Sequence, residues 1–304
     1  MTFRNPQQAI LMAAAHLCGA LAVSCAGPAP PAFDGARAFD LLARQVELGP
    51  RNPESAGWLA FQSFLEGYLD SLRVPYEKQP FAYFDYLTGD TVTMVNWIAR
   101  ISPDRGKRML ICAHYDSRPR AEHDADSLRA RQPLPGANDG ASGTAVVLHL
   151  IELMSVSPPS IGVDVVLFDG EDYGPSGRLE QYLLGSAYFA SQNRTAYTFG
   201  ILIDMVGDRD LRIYREGYSE QHAQQVNDLI WRAAAAAGER AFIDSVGAEV
   251  VDDHMSLLAA GIRTVDIIDF TYPYWHTQAD TPDKCSPVSL QLVGRVILDV
   301  VYDQ

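Results

Sequence analysis

A three-layer α/β/α sandwich with a mostly parallel central sheet is the fold the sequence predicts, on three observations. Apolar, β-branched runs alternate with helically spaced apolar residues along most of the chain, the pattern of strands joined by crossover helices. The run 163–167 is uninterrupted and reads as a strand buried on both faces. No internal repeat, second core or linker breaks the pattern across 304 residues, so 34–304 is expected to be one domain.

The first segment stands apart. Arg4 precedes an apolar run over 9–23, which is short for a membrane span and typical of a secretory signal. Leu21-Ala22-Val23-Ser24 then leads directly into Cys25. The expectation is a lipoprotein-type signal peptide over 1–25, with lipidation of Cys25 as the one route to a membrane. A Pro-rich tether over 26–33 would follow, and the mature protein would be exported, periplasmic or membrane-anchored. Plain secretion with cleavage nearby is the alternative. Of the remaining cysteines, Cys112 lies in an apolar strand and reads as a small core residue. A bridge from it to Cys285 is left open, since connectivity does not follow from sequence. Acids outnumber bases 38 to 24, for a net charge of −14. Nucleic acid is thereby excluded as an expected partner, because phosphate binding wants basic patches.

Past the tether, Phe39, Leu42 and Val46 recur at helical spacing until Gly49-Pro50 stops them. Trp58, Phe61, Leu65, Tyr68 and Leu72 mark a second helix. Strands are expected over 91–101, 108–113, 163–168, 200–205 and 264–268, and 211–214 offers an extension of the sheet. Helices are expected over 141–154, 219–237, 252–260 and 288–302. Ser219 is a candidate N-cap, and Gly238 a stop. The polar stretch 118–135 reads as a long surface loop, a type that is often functional.

Metal-capable residues follow the apolar strands. Residues 109–113 lead to His114-Tyr115-Asp116, 163–168 to Glu171-Asp172, 200–203 to Asp204, and 265–268 to Trp275-His276. Asp139 sits in Gly136-Ala137-Asn138-Asp139-Gly140-Ala141-Ser142-Gly143, just before a helix, among glycines that permit close backbone approach. Each residue alone has a bland explanation: a core histidine, an N-cap, a solvated turn. Together they converge on the edge where an open α/β sheet binds its ligands. Histidine with carboxylate oxygens is the donor set of catalytic zinc, with enough donors here for one ion or for a pair. Glu171 and Asp172 are neighbours whose side chains can serve different purposes, one holding metal and the other handling protons. His149 reads as a helix-packing residue, and His123 and His222 as surface residues. His254, after Asp252-Asp253, has no clear assignment.

These motifs resemble the zinc aminopeptidase family of the co-catalytic type, which includes the glutaminyl cyclases. The run Phe168-Asp169-Gly170-Glu171-Asp172-Tyr173-Gly174, Leu184-Gly185-Ser186, Val251-Asp252-Asp253-His254 and Trp275-His276-Thr277 are similar to glutaminyl cyclases. Gly49-Pro50-Arg51 and His114-Tyr115-Asp116-Ser117-Arg118-Pro119 resemble the bacterial ones. The likeness spans about residues 40–300. It implies that Asp139, Asp172 and His276 hold the catalytic zinc and that Glu171 is the general acid/base. It implies that His114 and Asp204 complete a second zinc site in an aminopeptidase, or join a hydrogen-bond network with Asp252 in a cyclase. Trp275 would wall the pocket. Asp172 is shorter than the glutamate of animal cyclases, and Asp266 stands where those carry histidine. The expected substrates are peptides with a free N-terminus, with cyclisation of N-terminal glutamine as the activity. Hydrolysis of the first peptide bond is the alternative, and a non-catalytic peptide-binding domain the minor one.

Overall fold

The computed structural model describes residues 30–304, so the expected signal peptide, Cys25 and the first half of the tether lie outside the described residues. Phe33, the last residue of the expected tether, is buried, with its ring 4.7 Å from that of His149. Among the described residues no helix is long and apolar enough to cross a membrane.

Six strands form the central sheet in the order β1 (Tyr76–Asp85), β2 (Asp90–Ile101), β4 (Gly162–Phe168), β3 (Arg108–His114), β5 (Tyr197–Asp204), β8 (Thr264–Ile268). The last four are mutually parallel, while β2 runs antiparallel to both β1 and β4. Period-two alternation divides the strands between two cores. Met109, Ile111, Val163, Val165, Ile201, Ile203, Val265 and Ile267 face a large core. That core is built with α1 (Gly35–Glu47), α2 (Ala56–Leu72), α3 (Ala141–Val156), α5 (Gly217–Ala237) and α7 (Pro287–Tyr302). Leu110, Cys112, Val166, Phe168 and Leu202 face a smaller one with α4 (Leu184–Gln192) and α6 (Asp253–Ala259). The sheet is thus covered on both sides, as three layers require. Cys112 and Cys285 are both buried and free.

The differences from expectation have local causes. The strand β1 has only a weak apolar alternation and carries Pro80, features of an edge strand that periodicity misses. Residues 211–214 do not extend the main sheet. Their strand β6 (Ile213–Arg215) pairs instead with β7 (Phe242–Val246), and β8 occupies the place beside β5. Glu216, not Ser219, caps α5, accepting from the Tyr218 and Ser219 amides, because its longer side chain folds back onto the first turn. Stretch 118–135 is not wholly a surface loop: Arg118, Ala121 and Leu134 are buried. The loop closes on itself through Leu134 N–H to Arg118 O, and joins the loop after β8 through His123 N–H to His276 O.

Candidate active site

The parallel strands β3, β4, β5 and β8 deliver their carboxyl ends to one edge of the sheet. His114 closes β3 and Asp204 closes β5. Glu171 and Asp172 follow β4 across Gly170, whose φ of +69° suits glycine. His276 lies in the loop after β8 with a φ of 56°, an uncommon conformation for a non-glycine residue and one found at functional sites. Asp139 is brought in from before α3. That loop is tied to the end of β5 by Asn138 Oδ1 accepting from Gly207 N (2.6 Å) and Ser142 Oγ from Val206 N (3.0 Å). Any Cβ at Gly140 would lie 2.3 Å from His114 Nε2, so only glycine lets this loop reach the histidine.

Two donor groups result, with Asp139 in both. In the outer group, His276 Nε2 is 3.5 Å from Asp172 Oδ2 and 3.6 Å from Asp139 Oδ2. Both oxygens are buried without a hydrogen-bond partner. Leaving buried carboxylate oxygens unpaired costs several kcal/mol in rough terms, so their convergence on one imidazole nitrogen fits an ion. One histidine and two carboxylates are a three-ligand zinc set with a position left open. In the inner group, His114 Nε2 is 3.1 Å from Asp204 Oδ1 and 3.3 Å from Asp139 Oδ1. Burial opposes a charged imidazole there, yet Asp204, Asp116 and Asp139 hold it well above its ordinary range.

Glu171 lies beside the inner group, its Oε2 3.9 Å from His114 Nδ1. Burial raises its carboxyl well above the usual range; His114 opposes this, and Asp172, Asp252 and Asp253 reinforce it. Asp116 shapes the turn, one oxygen accepting from Glu171 N (3.1 Å) and the other from Asp172 N (3.2 Å). Asp280 does the same for the other loop, accepting from Asn138 N (2.8 Å) and Asp139 N (3.2 Å). Burial and Asp139 push Asp280 up to about 7.

Glu171, Asp172, Asp204, Asp252, Trp275 and His276 all face one cavity of about 250 Å³. Asp252 caps α6 and is raised well above the ordinary carboxyl range by burial, Asp204 and Asp253. Asp139 lines the cavity as well, whereas His114 is not among the lining residues and meets the cavity's acids through Asp139 and Asp204. His123 is exposed, as expected, and its ring also packs 4.9 Å from that of Trp275 and 5.2 Å from that of His276, at the rim of the cavity. His254 is fully buried, its Nε2 3.2 Å from Glu216 and its Nδ1 3.8 Å from Asp266. His149 packs as expected, accepting from Asp34 N (3.1 Å). The residues missed are Arg118, Asp280 and Tyr182. Arg118 had one signal, its place in the motif after His114; Asp280 and Tyr182 had none.

An α/β domain with histidine and carboxylate donors converging at the carboxyl edge of its parallel strands belongs to the metal-dependent enzymes built on this sheet. The family follows from comparison: the model for peptidase family M28 matches residues 96–301, and the chain belongs to that family. It is thereby a zinc-dependent enzyme of cyclase or peptidase type. Among solved structures, the glutaminyl cyclase of Bacteroides thetaiotaomicron bound to N-acetylhistamine is 34% identical, with a TM-score of 0.87 over 91% of this chain and 100% of that one. A leucine aminopeptidase precursor from the same organism is 35% identical, with a TM-score of 0.88 over 91% and 99%. Aminopeptidase YwaD of Bacillus subtilis is 25% identical over 210 residues, 64% of this chain and 40% of that protein. The chain spans less than two thirds of the length of the first curated relatives it matches.

Proposed function

We propose that the chain is a zinc-dependent glutaminyl-peptide cyclotransferase, converting the N-terminal glutamine of peptides to pyroglutamate with release of ammonia. The observation that carries this is the asymmetry between the donor groups. Asp139 Oδ2 and Asp172 Oδ2 are orphaned beside His276, whereas His114 Nε2 already lies 3.1 Å from Asp204. One group suits an ion, and the other works as a hydrogen-bond network.

Zinc held by Asp139, Asp172 and His276 would supply Lewis-acid polarisation of the glutamine side-chain carbonyl. The protein's own residues do the rest. The α-amine attacks the side-chain carbonyl carbon (Cδ) of its own residue, a C–N bond forms there, and the bond from that carbon to the side-chain nitrogen breaks. Glu171 takes the proton from the attacking amine and gives it to the departing ammonia, so it ends unchanged. Trp275 and its neighbours confine the side chain, so that amine and carbonyl meet by proximity. Acidic groups in the cavity, Glu171, Asp204 and Asp252, favour a cationic N-terminus over an anionic ligand. Export, and anchoring through Cys25, complete the proposal and rest on residues 1–25 alone.

An aminopeptidase is the second reading. It is favoured by the donor atoms of His114, Asp139 and Asp204 lying within 4.8 Å of one another, which suits a second ion sharing Asp139. Glu171 would then deprotonate an attacking water. Incubation with a glutaminyl peptide and with an amino-acid anilide separates the two. Loss of ammonia from the peptide is expected, with the anilide intact; a cleaved anilide beside an unchanged peptide overturns the cyclase.

A further inference from the structure

Arg118 is fully buried, although it opens a polar loop. Its Nη1 donates to Asp172 Oδ1, the oxygen facing away from His276, while Asp172 Oδ2 is left without a partner toward His276. The rest of the guanidinium is held as firmly. Its Nε donates to Glu122 Oε2 (2.8 Å), Nη2 to the same oxygen and to the Tyr182 hydroxyl (2.6 Å), and the Tyr182 ring lies 5.1 Å from its central carbon. Glu122 in turn accepts from Ser176 N (3.1 Å) through its other oxygen. The bracket therefore joins the loop after β3 to the loop after β4, with Asp172 between them.

We propose that Arg118 is a positioning residue for the metal site: by holding Oδ1 it leaves Asp172 a single oxygen to offer and fixes where that oxygen points. This rests on the zinc-ligand role proposed for Asp172. A carboxylate free of such a partner can turn both oxygens toward an ion; one clamped by a planar, five-donor fork cannot. The fork also explains why arginine is needed. A lysine at this position has one nitrogen on a flexible stem and could not span Asp172, Glu122 and Tyr182 together.

The test uses Arg118→Met and Arg118→Lys, each loaded with zinc and, separately, with cobalt(II). Zinc retention against a graded series of chelator concentrations is expected to weaken roughly 10–100-fold in Arg118→Met, the usual cost of removing a partner that orients a metal ligand. Arg118→Lys, which keeps the charge without the fork, should fall between that variant and wild type. The visible spectrum of the cobalt protein should lose intensity in Arg118→Met, as Asp172 turns both oxygens inward and coordination number rises. A merely structural role would lower thermal stability without altering that spectrum. An unchanged spectrum together with unchanged zinc retention in both variants overturns the proposal. Should Arg118→Met fail to fold, Arg118→Lys decides by the same two readouts. Wild-type protein that holds neither metal would instead sink the zinc-ligand role of Asp172, a different failure.

Discussion

The two donor groups share Asp139 and the same sheet edge, yet they are finished differently. The outer group leaves two buried oxygens without partners, and the other oxygen of Asp172 is clamped by Arg118. In the inner group His114 Nε2 already meets Asp204, and Met205 N donates to Asp204 Oδ1 (2.8 Å), while His114 Nδ1, 3.4 Å from Asp116, is left without a hydrogen-bond partner. On the proposed cyclase reading, similar residue types prepare one place for an ion and another for holding shape. What separates them is which neighbouring segment supplies the hydrogen-bond donors.

Breaking the comparison at its centre should have the largest effect. Glu171→Gln keeps size and hydrogen bonding but cannot carry the proton, so turnover should fall roughly 10²–10⁴-fold. Zinc content and melting temperature should stay at wild-type values. Turnover within a few-fold of wild type would remove Glu171 from the proton-transfer role.

The next effect separates the groups. His276→Ala should lose zinc and activity together, because it deletes one of three ligands. His114→Ala should keep zinc while losing stability, roughly 1–3 kcal/mol for the buried acids left unpaired. Metal analysis of both variants and wild type checks this. Two tightly held zincs in wild type, one of them lost with His114, would erase the distinction and favour the aminopeptidase.

A smaller effect concerns the wall behind the inner group. Glu216 caps α5, accepts from Val250 N (2.9 Å) and sits 3.2 Å from His254, so it carries the strand of chain that leads to Asp252. Burial would raise its carboxyl, but bonds from His254, Ser219 and Val250 bring it down to about 2. A depressed carboxyl stabilises the fold above its unfolded value near 4.5 and loses that contribution as pH falls toward 2. The loss amounts to at most about 3.5 kcal/mol, at roughly 1.4 kcal/mol per pKa unit. Urea unfolding of wild type and Glu216→Gln at pH 6 and pH 3 should show the gap between them shrinking at the lower pH. A constant gap would mean that Glu216 is not held ionised by its partners.

Much of the fold was legible because its signals are local. The β3, β4, β5 and β8 segments are apolar and continuous, since both faces are buried, and the caps and stops of most helices lie within a few residues of them. The strand β1 was hidden because an edge strand needs only half a hydrophobic face. The pairing of β6 with β7 was hidden because three residues carry too little periodicity to name a partner. At the site, placing Glu171, Asp172, Asp204 and His276 together needed only strand ends and one topological rule, and Asp139 was added from the glycine-rich turn before a helix.

The sequence by itself determined which side chains reach the sheet edge, because alternation and strand polarity are properties of short segments. Only the tertiary structure decided which of their oxygens are left free. Asp116, Arg118, Asp280 and Gly140 act on site residues from 26 to 141 residues away, as with Gly140 on His114 and Asp280 on Asp139. Donor and acceptor pairing in a buried site depends on atoms brought within about 3 Å. That distance is set by packing, which no local pattern of residues records.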